Sequence, residues 1–71
     1  MGLFIGEHMY TLGVTGMKVK CDTYYATRQA ATSKMYEIIG KKHLHIKEIY
    51  DDKHFKTYVC EEGVTFYINR M

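Results

Sequence analysis

Residues 43–71, HLHIKEIYDDKHFKTYVCEEGVTFYINRM, decide the fold. Three runs within them, His43 to Tyr50, Phe55 to Cys60 and Val64 to Met71, alternate apolar and polar side chains as half-buried strands do. Asp51-Asp52-Lys53-His54 is polar and turn-prone, and Glu61-Glu62-Gly63 ends in a glycine able to adopt positive φ. With Glu62-Gly63 as the loop, Val59 lies opposite Phe66 and Tyr58 opposite Tyr67. An even-numbered turn at 51–54 sets Ile46 opposite Val59, Lys47 opposite Tyr58 and His45 opposite Cys60. Both pairings divide the side chains in the same way. One face collects Leu44, Ile46, Val59, Phe66 and Ile68; the other collects His45, Lys47, Lys56, Tyr58 and Tyr67.

Upstream, Met9 to Val14 and Met17 to Tyr25 alternate in the same manner, with Thr15-Gly16 between them at the length of a two-residue hairpin loop. That hairpin sets Leu12 opposite Val19 and Tyr10 opposite Cys21. The one good helix follows. Thr27 supplies an N-cap hydroxyl, and Ala31, Met35, Ile38 and Ile39 form a single apolar stripe at helical spacing. Gly40 suits the left-handed position past the helix end, and Lys41-Lys42 complement the negative end of its dipole. A start at Asp22 would absorb Tyr24 and Tyr25; the later start is preferred because strand alternation runs unbroken through Asp22. The sum is a single α+β domain, ββαβββ, with a mainly antiparallel sheet and one helix packed on one face. One helix covers only one side, so the other face meets water or a partner. Lys18, Lys20, Tyr24, His45, Lys47, Ile49, Lys56, Tyr58 and Tyr67 are expected on that open face.

Size and composition bound the rest. A chain of 71 residues is one domain whose core is small, so a second copy of itself is among the partners that size allows. Seven Tyr, three Phe and no Pro argue against disorder, with residues 1–8 expected to be the least ordered part. A net charge of +2 is far from that of a polybasic protein. Two cysteines are fewer than small secreted scaffolds carry, which points to a reducing cytoplasm and two free thiols, Cys21 toward the helix and Cys60 toward the open face. The apolar start ends at Glu7, too short for a membrane span or a signal peptide.

Chemistry-bearing clusters are sparse. His43 and His45 share a strand face, with His54 in the next turn and Cys60 opposite His45. No C-x-x-C or H-x-x-x-H spacing accompanies them, so no metal is assigned and no cofactor is expected. Asp51-Asp52 and Glu61-Glu62 lie in wet turns where solvated charge is the ordinary reason for acids, and no catalytic residue is assigned. The Tyr/Lys face therefore carries the functional reading. Tyrosine offers contact area at low entropic cost to a protein partner. The same rings and lysines would also suit single-stranded nucleic acid, although the Gly-aromatic run of an RRM strand is missing. The plain alternative is that Tyr and Lys simply tolerate an exposed pleated surface.

The strand ending Tyr24-Tyr25-Ala26-Thr27, the helix opening Arg28-Gln29-Ala30-Ala31 and the strands after it give a layout that resembles a group of phage proteins. These are the very small one-helix α+β proteins that bacteriophages encode to seize host machinery or block host defences. The resemblance implies a non-enzymatic inhibitor or modulator in the host cytoplasm that docks on a larger protein. The candidate binding residues are Lys18, Lys20, Tyr24, His45, Lys47, Lys56, Tyr58 and Tyr67. A small nucleic-acid-binding regulator is the second reading. A toxin-like enzyme needing His43, His45 or His54 is the third.

Overall fold

The computed structural model describes residues 9–71. The expectation for residues 1–8 lies outside the described residues. The elements run β1 (Tyr10–Thr15), β2 (Tyr24–Tyr25), α1 (Arg28–Lys42), β3 (Ile46–Asp51), β4 (Phe55–Cys60) and β5 (Thr65–Arg70). The strands form one antiparallel sheet of spatial order β2-β1-β5-β4-β3. The α+β class and the ββαβββ order are thus observed. The centre of the sheet is a long-range pair, β1 against β5 from Tyr10↔Arg70 to Thr15↔Thr65.

Helix α1 starts where the sequence places it. The Thr27 hydroxyl accepts from the Ala30 N–H at 3.1 Å, satisfying one of the orphan amides of the first turn. It ends later than Gly40. His43 takes the left-handed conformation (φ 56°), its N–H donates to the Gly40 carbonyl, and the Leu44 N–H donates to the Ile39 carbonyl. This bond pair closes the last turn in the Schellman manner, so Gly40 is an ordinary helical residue. Ala31, Met35 and Ile38 are buried beneath the helix against Leu12, Tyr58, Cys60, Val64, Phe66 and Ile68.

The hairpin β4–β5 corrects the expected division of faces. Its loop holds three residues, Glu61-Glu62-Gly63, closed by Cys60 N–H to Val64 C=O at 2.8 Å with Gly63 at φ +86°. A three-residue loop with glycine in the left-handed position is a common hairpin form. One residue more than the two-residue loop shifts the register by one and reverses the parity of β4. Tyr58 therefore lies opposite Phe66 and Thr57 opposite Tyr67. Tyr58 is 2% exposed and meets Tyr36 of α1 edge-on, ring centroids 6.3 Å apart. Cys60 is buried on the helix side as well, not on the open face, and Val59 takes the place assigned to Tyr58.

The β3–β4 hairpin turns tightly, with Asp51 opposite Lys56 and the Asp52 N–H donating to the Phe55 carbonyl. Lys47 is extra between Ile46↔Cys60 and Glu48↔Val59, a bulge. The bulge is what allows Ile46 and Ile49, three apart, to share the helix side, so Ile49 also leaves its expected face.

The expected hairpin of 9–14 with 17–25 forms only at its far end, as Tyr10↔Tyr25 and Thr11↔Tyr24. Leu12 does not face Val19, nor Tyr10 Cys21. Residues 17–22 are instead a strap outside the ladder, rejoining it where the Leu12 N–H donates to the Thr23 carbonyl at 2.8 Å. Met17, Val19 and Cys21 pack on the edge of the core and are only half-buried. Burial of these three against α1 and β1 replaces the hydrogen bonds of a longer β2. Both cysteines are free.

Candidate binding surface

The registers settle which side chains the open face carries. Across the sheet run the row Thr11–Asn69–Phe55, the row Gly13–Tyr67–Thr57–Tyr50 and the row Thr15–Thr65–Val59–Glu48, with Tyr24 beside Thr11. Tyr24 (59% exposed), Tyr50 (55%), Phe55 (44%) and Tyr67 (37%) give the face four exposed rings. Threonines fill much of the space between, as β-branched residues do on a pleated surface. Glu48 is the one charged side chain in these rows, and its carboxylate already accepts from the Tyr50 hydroxyl at 2.5 Å. That contact also raises the pKa of Tyr50, through the hydrogen bond first and the negative charge second. Gly13 leaves the Tyr67 ring uncovered, and a Cβ there would meet Tyr67 only in ordinary van der Waals contact at 3.8 Å.

Of the eight residues expected to bind, Tyr24 and Tyr67 are in these paired rows and the other six are not. Tyr58 is core. Lys56 lies on the helix side, its ammonium 5.5 Å from the Tyr58 ring centre and 3.5 Å from Asp51 Oδ2. The Tyr58 phenol first, and Asp51 after it, hold Lys56 above the usual lysine range. Lys47 is exposed in the bulge. Lys18 and Lys20 ride on the strap and face the C-terminal end of α1. His45 lies just before β3 and clamps the β4–β5 loop. Its N–H donates to Glu62 Oε1 at 2.9 Å, its ring Nδ1 lies 2.7 Å from Glu62 Oε2, and its carbonyl accepts from the Glu61 N–H. The hydrogen bond to Glu62 raises the imidazole pKa and the same bond lowers that of Glu62. His45 is thus committed to a structural contact.

Glu48, Tyr50, Phe55, Thr57 and Val59 are open-face residues that the sequence pattern had not placed there. A signal for them existed in the threonines: Thr11, Thr15, Thr57 and Thr65 share one face only when the β4–β5 loop has three residues. Among the described residues no group of three His, Cys, Asp or Glu converges as a metal site would require, and no helix is long and apolar enough to cross a membrane. The Cys60 thiol is pushed above its ordinary pKa by burial. Tyr25 is raised by burial and then by nearby Cys21; its hydroxyl is shut off from solvent with no partner at hydrogen-bond geometry.

The geometry defines a one-helix α+β protein with an aromatic–threonine sheet face. Compared with protein-family models, curated proteins and solved structures, the chain matches none of them.

Proposed function

We propose that this chain is a small non-enzymatic binding protein that docks on a larger protein through the open face of its sheet. It acts as an inhibitor or modulator of the kind its layout resembles. The observation that supports this is the scarcity of charged side chains in the paired rows of that face: four exposed rings and a field of threonines, with Glu48 the one carboxylate and already accepting from Tyr50. The buried centres of protein interfaces are depleted in charge and enriched in aromatic residues, and their energy concentrates in a few such side chains. The nucleic-acid reading is the weaker one, because it needs rings and cations on one surface. Lys18, Lys20, Lys47 and Lys56 lie in the strap, in the bulge and on the helix side, outside the paired rows that carry the rings. Two free thiols suit a reducing cytoplasm.

A photo-crosslinking residue placed at Tyr50, Tyr67 or, for contrast, Tyr36 of the helix face tests this in cells of the native host. Discrete crosslinked protein species that survive nuclease are expected from positions 50 and 67 and not from 36. Tyr67→Ala is expected to weaken the captured complex by tenfold or more, roughly the cost of losing a central aromatic anchor. Crosslinks from position 36 alone, or ones abolished by nuclease, would exclude the open face as a protein-docking surface.

A further inference from the structure

Between β1 and the strap lies a cleft of about 670 Å³, within the size range of sites that hold a small molecule. Its walls are apolar: Leu12 and Val14 from β1, Met17, Val19 and Cys21 from the strap. Lys18 and Lys20 line both this cleft and a second one of about 210 Å³ beside Lys41 and Lys42 at the end of α1. Among the described residues, the only acid lining that second cleft, Glu37, is already paired with Lys34 at 3.2 Å. Among the described residues Lys18, Lys20, Lys41 and Lys42 have no ion-pair partner, so the region holds uncompensated positive charge next to apolar surface.

The cleft also has a polar inner edge. Antiparallel pairing sends the N–H and C=O of alternate β1 residues outward, and Leu12 shows which ones by bonding to Thr23. Val14, two residues on, turns its backbone groups to the same edge, where no strand lies beside it. A polypeptide strand could in principle add there, but both ends are shut. The Leu12–Thr23 bond closes one end. At the other, the chain turns back at Gly16, so close to the β4–β5 loop that a Cβ would fall 2.2 Å from the Gly63 carbonyl. A space closed at both ends and open at the side takes a small molecule and not an added polypeptide strand.

We propose that this cleft binds a small amphipathic anion, an apolar body with one carboxylate-like head. The body lies between Val14 and Val19, and the head reaches Lys18 and Lys20. The site is separate from the open sheet face and does not depend on the docking function proposed above.

Decanoate, decanol and decylamine, titrated into the 15N-labelled full chain below their micellar concentrations, test it. Decanoate is expected to shift amides of residues 12–23 in a saturable way and to slow alkylation of Cys21 by iodoacetamide. Buried Cys60 serves as the unreactive internal reference. Decylamine is expected to do neither, and decanol to bind about tenfold more weakly, since a charge-assisted contact to lysine is lost. Lys18→Gln combined with Lys20→Gln, at two exposed positions, is expected to bring decanoate down to the level of decanol. Equal binding of decanoate and decanol to the native chain, shifts centred on Tyr50 and Tyr67, or no protection of Cys21 would overturn the proposal. So would amides 14–21 that move on dilution, or on Phe4→Asp, without ligand, because another copy or the chain's own start would then occupy the cleft.

Discussion

The strap and β4 are built from similar sequence and end differently. Met17 to Cys21 alternates Met, Val and Cys with lysines, at least as regularly as Phe55 to Cys60 alternates its own side chains. Yet β4 is laddered on both sides, by β3 and β5, while residues 17–22 form no strand at all. Alternation is therefore a statement about faces and not about pairing. A strand needs a neighbour whose turn delivers it in register. The three-residue loop at 61–63 does so for β4 and β5, whereas the turn at Gly16 releases the strap away from β1. Apolar contact with the core edge then holds the strap in place of hydrogen bonds.

The sharpest way to break this comparison is at Tyr58 and Tyr67, which the parity of β4–β5 separates. Tyr58→Ala is expected to lower stability by about 3 kcal/mol or more, the usual range for truncating a buried aromatic. Tyr67→Ala, on the open face, should cost under about 1 kcal/mol. Urea denaturation of both variants decides it, and equal losses would mean the register is wrong. Next are two glycines of opposite backbone state, one at the start of the strap and one inside α1. Gly16→Ala should destabilise by roughly 1–3 kcal/mol, because φ is +94° there and the added methyl meets the Gly63 carbonyl. Gly40→Ala should stabilise by about 0.5–1 kcal/mol, since the position is helical with open space around it. Thermal melts of the two single variants should move in opposite directions.

The smallest effect concerns the clamp that ties the start of β3 to the β4–β5 loop. His45 titrates above its ordinary 6.5 when folded, so its share of stability is complete below about that pH and fades as pH rises through the raised value. Glu62 titrates below its ordinary 4.5, so its share is complete above that pH and fades as pH falls through the lowered value. The difference in melting temperature between the native chain and Glu62→Gln should thus be greatest between about pH 4.5 and 6.5 and smaller at pH 8. Both side chains are solvent-exposed, so the difference should also shrink in salt. A gap that instead grows from pH 6 to pH 8 would show that the imidazole is not part of the clamp.

Two of the four exposed rings, and two of the eight residues expected to bind, were legible in the sequence. Tyr24 and Tyr67 occupy the face expected of them, because each lies on a strand whose parity survived. Tyr50 and Phe55 were not legible. The face of Tyr50 depends on the bulge at Lys47, and that of Phe55 on the length of a loop downstream. Neither the bulge nor the extra loop residue leaves a mark in hydrophobic periodicity.

Local chemistry in the chain was sufficient for the class of fold. Alternating runs make strands, a capped apolar stripe from Thr27 makes one helix, and one helix can shield only one side of a sheet. What tertiary structure alone decided was which side chains lie under that helix, the pairing of β1 with β5, and the departure of residues 17–22 from the ladder. The physical reason is that a side chain's face is set by a count of loop residues modulo two. In β4 that count places Tyr58 and Cys60, and not Val59, beside Phe66 and Ile68 under the helix, in a core that also takes Leu12 from more than fifty residues away.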